Sequence, residues 1–226
     1  MTSIPKIDRL IRSKRNSIAL LVERDATLTV KAPIFVSEKL INDFIFEKRN
    51  WILKKQEIAK EKHKNFVPKK FVEGENFLFL GENYELEYIY SLPHPIMLDK
   101  KLFILEKHRN VTDKLILYWY KQQALKIISE RLKYYSQLSG IRYNSLKITS
   151  ARKRWGSCSL IGKLNFSFRL IMAPMEVINY VVIHELAHII EHNHSKNFWK
   201  LVSQYDSEYK THLTWLKKHN YIAFVV

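Results

Sequence analysis

Two histidines and a glutamate stand within one helical turn, in the segment His184-Glu185-Leu186-Ala187-His188. Residues four apart lie on the same face of an α-helix, so both imidazoles would point toward one cation. The glutamate between them would stand next to an open coordination position, where a general base can activate a metal-bound water. The spacing therefore predicts a single Zn2+ ion with hydrolytic chemistry, in which His184 and His188 bind the metal and Glu185 is catalytic.

The sequence around this motif predicts a helix that is mostly buried. Nearly all the residues between 177 and 190 that are not part of the motif are aliphatic. Two imidazoles and a carboxylate are costly to bury unless something compensates them, and a bound metal is the usual compensation. The apolar context favours a metal site over a chance match on a surface helix.

A catalytic zinc site needs a third protein ligand, because the fourth position is left to water. We favour His194, which would reach the metal if the helix ends soon after His188. Asn193 tolerates the left-handed conformation that such a reversal uses, and Ser195 is suited to cap a following helix. His194 is thus predicted as the third ligand.

Three other side chains compete for roles at the metal. Glu208 is the main alternative ligand, because it lies on a later predicted helix at a separation that some zincins use. His192 is one turn beyond His188 and would lie too far from a metal held by His184, so we expect it to contact a ligand or solvent. Glu191 would either orient a ligand or end the helix in water.

The residues around the motif resemble a known family, the YgjP-like metal-dependent hydrolases, and more distantly the SprT-type proteases. The resemblance runs in order through the C-terminal half, and it is carried by Arg154-Trp155-Gly156-Ser157-Cys158-Ser159, Leu164-Asn165-Phe166, Arg169-Leu170, Val181 to His188, Asn193-His194-Ser195 and Phe198-Trp199. The N-terminal half is similar too, with a basic start, a hairpin ending in Ala32-Pro33 and a helix ending in Trp51-Ile52.

This resemblance implies zinc on His184, His188 and His194, a catalytic Glu185 and a zincin-like minidomain. Members of the group are usually described as zinc peptidases, and a nucleoside triphosphate pyrophosphatase activity has also been attached to it. One departure is the turn between Glu23 and Leu28, where such proteins often have glycine and this chain has Asp25-Ala26.

The stretch from Leu164 to Leu170 alternates apolar and polar residues, which predicts a strand with one face in the core. We expect it to be the edge strand that pairs with an extended polypeptide. Its polar residues Asn165 and Arg169, together with Arg154 before it, are predicted to bind substrate, and Asn165 or Arg169 would stabilise an oxyanion. An ordinary half-exposed strand is the alternative.

The net charge of +16 favours an anionic partner. Hydrolysis of a nucleoside triphosphate is therefore an alternative to peptide hydrolysis, with Arg152, Lys153 and Arg154 near the metal. No Gly-rich phosphate loop is present, and the chain has only five glycines. A further alternative is a nucleic-acid-associated protease with weak nucleic-acid binding through its basic surface, although a basic surface without function explains the charge equally simply.

Composition predicts a soluble cytoplasmic protein. Hydrophobic residues make up 46% of the 226 residues, a single cysteine excludes an internal disulfide, and no apolar run is long enough to cross a membrane. No signal-like segment follows the charged start.

The change of periodicity along the chain predicts an α+β protein in two parts. Residues 1–110 form a β-rich N-terminal part of hairpins and one helix, and residues 111–226 form the zincin-like catalytic domain. In the second part we expect a long helix that Gly140 ends, and then the metal-binding helix packed on a small antiparallel sheet.

Overall fold

The computed structural model describes residues 5–23, 25–64, 69–219 and 221–222. The chain divides into two compact units, residues 1–67 and residues 68–226. The α+β class is confirmed, because each unit combines a sheet with helices.

The smaller unit is a three-stranded sheet followed by two helices. Its strand order is β1-β3-β2, with β3 parallel to β1 and antiparallel to β2. Its elements are β1 (Arg9–Ser13), β2 (Ala19–Val22), β3 (Leu28–Pro33), α1 (Glu38–Glu47) and α2 (Arg49–Lys64). Apolar residues of β3 and the helices form its core, namely Leu28, Val30, Ala32, Ile41, Ile45 and Ile52.

Local capping and turn interactions shape the smaller unit. The Ser37 hydroxyl caps α1 by accepting a hydrogen bond from the Leu40 backbone N–H. The single helix that was predicted to end at Trp51-Ile52 is instead two helices separated at Lys48. Ala26 takes a positive φ of 66°, a conformation that favours glycine, and Asp25 supports the turn by accepting from the Thr27 N–H.

The larger unit begins with a four-stranded sheet in the order β4-β5-β7-β6 and a long helix. These elements are β4 (Asn76–Phe79), β5 (Glu82–Ile89), β6 (Ile96–Leu98), β7 (Leu102–Leu105) and α3 (Thr112–Ser139). Gly140, with φ 73°, ends α3 as predicted.

A second sheet and three helices complete the larger unit. They are β8 (Ser145–Thr149), β9 (Gly156–Cys158), β10 (Lys163–Ser167), α4 (Met175–Ile190), α5 (Lys196–Tyr205) and α6 (Tyr209–Lys218). A short 3-10 helix (Phe168–Met172) joins β10 to α4. The strand order is β8-β10-β9, so β10 is central and β9 is an edge strand.

This small sheet is mixed, not antiparallel as predicted. β10 runs antiparallel to β9 but parallel to β8. The reason is the loop of residues 150–155, which carries the chain from one edge of the sheet across to the other. Without that crossover, β8 would have continued directly into a hairpin.

Along the chain, the division between the two compact units falls after residue 67. From the sequence, the division was predicted after residue 110. The β4–β5 hairpin belongs to the core of the larger unit. Tyr120 of α3 donates a hydrogen bond to the Leu78 carbonyl, and Leu80 and Gly81 donate backbone hydrogen bonds to Ile171 and Met172 just before α4. Phe77, Leu86 and Phe168 lie in one apolar cluster with α3 and α4.

In the part of the chain that the structure describes, no helix is both long and apolar enough to cross a membrane.

Candidate metal centre and active site

Helix α4 holds the His-Glu-x-x-His segment in its last two turns. Pro174 precedes the helix, where its missing N–H costs nothing, and the aliphatic residues of α4 face the core. The helix ends at Glu191, whose extended backbone (φ −120°, ψ 99°) redirects the chain. The motif therefore lies on a rigid, packed element directly before a bend.

The three predicted histidines come together. The ring centroids of His184, His188 and His194 are 4.8, 4.8 and 5.0 Å apart, and one ligand atom from each ring lies within 4.8 Å of the others. The Nε2 atoms of His184 and His194 are 3.2 Å apart. Two nitrogens on a tetrahedral zinc with Zn–N bonds of about 2.0 to 2.1 Å would be about 3.3 Å apart. The cluster thus has the dimensions of a metal site.

Hydrogen bonds turn two of these rings toward a common point. His188 Nδ1 lies 3.0 Å from the Glu191 carbonyl oxygen, which can only accept, so Nδ1 carries the proton and leaves Nε2 free to bind a metal. Tyr180 bonds His184 Nδ1 through its hydroxyl at 3.4 Å and likewise leaves Nε2 free. Both contacts fix the ring orientation that a metal ligand needs.

Burial keeps the inner imidazoles neutral. Burial, with smaller contributions from His188 and His194, lowers the pKa of His184 to about 3. Burial is also the main reason why the pKa of His188 lies below its usual value. Because metal binds the deprotonated imidazole, these two rings are ready to act as ligands at neutral pH.

The bend after α4 places His194 next to the other two histidines, as the sequence predicts, but the residue that turns the chain is a different one. The Ser195 hydroxyl accepts from the Phe198 N–H and caps α5, which confirms the predicted cap. Asn193 is not among the residues with positive φ, so the predicted left-handed reversal there is wrong. Glu191 makes the turn through its extended backbone, and its carboxylate accepts a hydrogen bond from the Ser195 hydroxyl.

Aromatic side chains of α5 form the surface on which the three imidazoles rest. The Phe198 ring is fully buried and lies 4.5 to 4.9 Å from the ring centroids of His184, His188 and His194. The Trp199 ring stacks on His194 at 5.6 Å. This packing restricts the rings before any metal binds, so α5 is part of the site.

Glu185 is buried beside the three histidines and is not satisfied by the protein. Its side chain is 6% exposed, and within the described residues its Oε2 atom has no hydrogen-bond partner. Burial raises the pKa of Glu185 to about 8, although the nearby positive charge of Arg154 opposes the rise. A buried carboxylate oxygen without a partner is unfavourable by itself. Its position next to a metal and a reacting water would give it that partner.

The cleft over the histidines is bounded by β9 and not by the strand that the sequence indicated. Its lining is Gly156, Ser157, Cys158, Ser159, Leu160, His184, Glu185, His188, His192 and His194. The predicted edge strand, β10, is hydrogen-bonded on both sides, and it ends at Ser167. An incoming strand can pair only with an edge, which β10 does not offer, and the edge strand beside the cleft is β9.

The three predicted substrate-binding residues are placed differently from one another. Arg154 is exposed in the loop before β9, within electrostatic range of Glu185. Asn165 is half-buried, and its side chain donates to the Ser157 hydroxyl across the sheet. Arg169 is 3% exposed, lies in the 3-10 helix and donates to the Ser150 carbonyl. None of the three lines the cleft.

The rival metal ligands lie outside the cluster. Glu208 is exposed at the start of α6 and is not part of the histidine group. His192 is exposed at the rim of the cleft, with Nδ1 2.9 Å from the His188 carbonyl oxygen. Cys158 lines the cleft, and burial raises the pKa of its thiol, which disfavours the thiolate needed for a ligand or nucleophile.

Tyr180 and Gly156 contact the motif residues, and neither contact was predicted from the sequence. Tyr180 is one helical turn before His184, and a tyrosine at that spacing on the same face was an available signal for a contact with the ligand. Gly156 lies against the Glu185 carboxylate. Its role depends on a tertiary contact between β9 and α4, which no local pattern reports.

Two imidazoles on α4 and a third from the bend after it converge beside a buried glutamate, an arrangement typical of metal-dependent hydrolases. Residues 16–219 match the family described as YgjP-like, metallopeptidase domain. That match spans most of the chain, and the chain belongs to this family.

The other comparisons add little. No curated protein matches the chain. Among solved structures, the chain is similar to the metallopeptidase zymogen abylysin of Pyrococcus abyssi. That similarity has 20% identity and a TM-score of 0.37, and it covers 40% of this chain and 93% of that one.

Proposed function

We propose that this protein is a zinc-dependent peptidase in which His184, His188 and His194 hold one zinc ion and Glu185 is the general base. The observation that carries the proposal is the triangle of imidazoles beside a buried carboxylate oxygen that has no partner in the described part of the chain. Membership of a metallopeptidase family supports the same reaction class.

The donor set fits zinc better than a harder cation. Three neutral imidazoles suit zinc, whereas magnesium and calcium favour oxygen ligands. Three protein ligands also leave a position open, which is typical of a catalytic and not of a structural zinc site. When bound, the ion would polarise a substrate carbonyl and lower the pKa of a water molecule.

Glu185 would move the protons of the reaction. Its Oε2 would accept a proton from the attacking water and then transfer it to the nitrogen of the leaving group. Burial supports this role, because a carboxylate with a raised pKa holds and releases a proton near neutral pH.

A polypeptide substrate would lie along the free edge of β9. Backbone pairing with an edge strand binds an extended peptide without strong side-chain selectivity. β9 is hydrogen-bonded to β10 on one side, and its residues line the cleft over the histidines. Gly156 of this strand lies against the Glu185 side chain, which supports a peptide whose scissile bond lies near Gly156. Arg154, at the start of this edge, would bind an acidic group of the substrate.

Hydrolysis of a nucleoside triphosphate is the second candidate. The exposed basic residues Arg152, Lys153 and Arg154 favour it, because guanidinium groups bind phosphate oxygens well. The same basic surface would give a peptidase weak affinity for nucleic acid, with the strong salt dependence that such binding has.

The test uses the full chain loaded with zinc. Unfolded polypeptides and a panel of nucleoside triphosphates are assayed side by side, for the unaltered protein and for Glu185→Gln. We expect near-stoichiometric zinc and cleavage of polypeptide that Glu185→Gln abolishes.

Each other outcome removes part of the proposal. Cleavage of triphosphates alone, lost in Glu185→Gln, would replace the peptidase with the second candidate. Absence of tight zinc binding would overturn the metal centre. Full activity in Glu185→Gln would overturn the role of the glutamate.

A further inference from the structure

Gly156 of β9 lies against the glutamate of the metal motif. A β-carbon at this position would be 2.5 Å from Glu185 Oε1, 2.6 Å from its Cγ and 2.7 Å from its Cδ. Nonbonded carbon atoms are comfortable at about 3.5 to 4.0 Å. The side chain of Glu185 thus occupies the space that any other residue at 156 would need.

The backbone of Gly156 does not itself require glycine. The other four glycines, Gly74, Gly81, Gly140 and Gly162, have positive φ values of 70° to 87°, which exclude most residues. Gly156 is in a strand and is not among the positive-φ residues. Glycine inside a strand is unfavourable, because it loses more backbone freedom on folding and packs no side chain. Space for a neighbour is the remaining reason for it.

Glu185 cannot yield easily to a larger residue at 156. Its side chain is 6% exposed, and the closest approaches include Cγ, which moves only with a change of rotamer. A change of rotamer would carry the carboxylate away from the edge of β9. β9 and α4 are therefore complementary at this point, because Gly156 has no side chain and the Glu185 side chain fills the space beside it.

We propose that Gly156 is a positioning residue, which holds the Glu185 carboxylate at the β9 edge by leaving empty the volume that a β-carbon would fill. The inference rests on the proposed function for its effect on catalysis, but the contact itself does not. A misplacement of about 1 Å at a reacting group costs on the order of 100-fold in rate. A methyl group at 156 forces a displacement of that size.

The kinetic test is Gly156→Ala in the zinc-loaded protein. We expect kcat on polypeptide to fall about 100-fold, with KM and zinc affinity close to those of the unaltered protein, because the three atoms nearest to a β-carbon at 156 all belong to Glu185. Ser145→Ala, an exposed position on the opposite edge of the same sheet, is the control for altering that sheet. An unchanged kcat, or a rise in KM with kcat retained, would overturn the proposal.

A thermal-unfolding cycle tests the contact without any substrate. Gly156→Ala is compared in the unaltered protein and in a Glu185→Ala background, where the space is vacant. We expect Gly156→Ala to lower the melting temperature in the first case, and to leave it unchanged or raise it in the second. Equal losses in both backgrounds would overturn the proposal.

The two measurements separate this inference from the proposed function. If Gly156→Ala alone fails to fold, recovery of folding in Gly156→Ala/Glu185→Ala supports the proposal, and failure of both variants overturns it. If no substrate is cleaved, the proposed function fails while the cycle still decides the contact. If Glu185→Gln is inactive but the cycle shows no coupling, the proposed function stands and the positioning role fails.

Discussion

Among the described residues, one basic side chain and one carboxylic acid side chain are buried, both in the larger unit, and they differ in their hydrogen bonding. Arg169, before α4, is 3% exposed and donates to the Ser150 carbonyl at 3.0 Å, with its guanidinium 4.3 Å from the Phe168 ring centroid. Glu185, on α4, is 6% exposed, and its Oε2 has no partner within the described residues. One of these ionisable groups is hydrogen-bonded within the protein, and the other has a buried oxygen without a partner among the described residues.

The difference fits a structural role for Arg169 and the proposed reactive role for Glu185. Arg169 holds the loop of residues 150–155, which leads into β9 and so into one wall of the cleft. Glu185 costs stability, because a buried carboxylate without hydrogen bonds is unfavourable, and such a cost persists where function requires it. Replacing Glu185 should therefore affect activity and not folding, whereas replacing Arg169 should affect folding first.

The largest expected effect is on the activity of Glu185→Gln. Loss of a general base lowers rates by about 100-fold to 10,000-fold, so kcat on polypeptide should fall by about three orders of magnitude. Urea unfolding of the metal-free variant should show stability equal to or above that of the unaltered protein, because a neutral amide is cheaper to bury. A clear loss of stability would contradict the contrast between Glu185 and Arg169, since it would mean that the Glu185 carboxylate already makes stabilising hydrogen bonds.

Next in size is the stabilisation that zinc gives to the folded protein. At a free zinc concentration about 100-fold above Kd, binding should add about 2.7 kcal/mol to the free energy of unfolding. His194→Ala should lose most of this gain, and Glu208→Ala should keep it. Thermal unfolding with and without zinc measures both. The opposite ranking of the two variants would make Glu208 the third ligand.

Arg169→Met should lower the free energy of unfolding by about 2 kcal/mol, since the Ser150 carbonyl would lose a charged donor inside the protein. For a chain of this length, that corresponds to a fall of roughly 4 to 8 °C in melting temperature. Arg152→Met, an exposed arginine in the loop that Arg169 holds, is the matched control and should change little. If Arg169→Met unfolds like the unaltered protein but raises KM, Arg169 binds substrate after all.

The sequence predicted best what depends on local geometry. The four-residue spacing of His184 and His188 requires only a helix, and the aliphatic residues of α4 predict that helix. Ser195 predicted the start of α5 by its capping chemistry, and that start brings His194 back toward the other two rings. These inferences needed no knowledge of distant contacts.

The sequence predicted poorly what depends on the order of strands. The alternation from Leu164 to Leu170 reports which side chains are buried, but an edge strand and a central strand alternate alike. Arg169 therefore looked like a cleft residue, because a polar residue between apolar ones has the same pattern whether it meets solvent or a buried carbonyl. Gly156 was missed for a related reason, since its contact with Glu185 joins two elements far apart in the chain.

The smallest effect is expected at Ser167, which holds the same loop as Arg169. Its hydroxyl donates to the Ala151 carbonyl at 2.7 Å, and its backbone N–H donates to the Trp155 carbonyl at 2.8 Å. Ser167→Ala removes only the first bond, so unfolding should become easier by about 1 kcal/mol, with zinc affinity unchanged. Ser203→Ala, which loses an exposed hydroxyl of α5, is the control.

In the Arg169→Met background, Ser167→Ala should lower the free energy of unfolding by less than it does alone. Once the hydrogen bond at Ser150 is lost, the hydrogen bond at Ala151 contributes less to holding the loop. Strictly additive losses, measured by urea unfolding of the two single variants and the double variant, would mean that the two side chains hold the loop independently. In that case the structural counterpart of Glu185 in this comparison would be Arg169 alone, and not Arg169 and Ser167 acting together on the loop of residues 150–155.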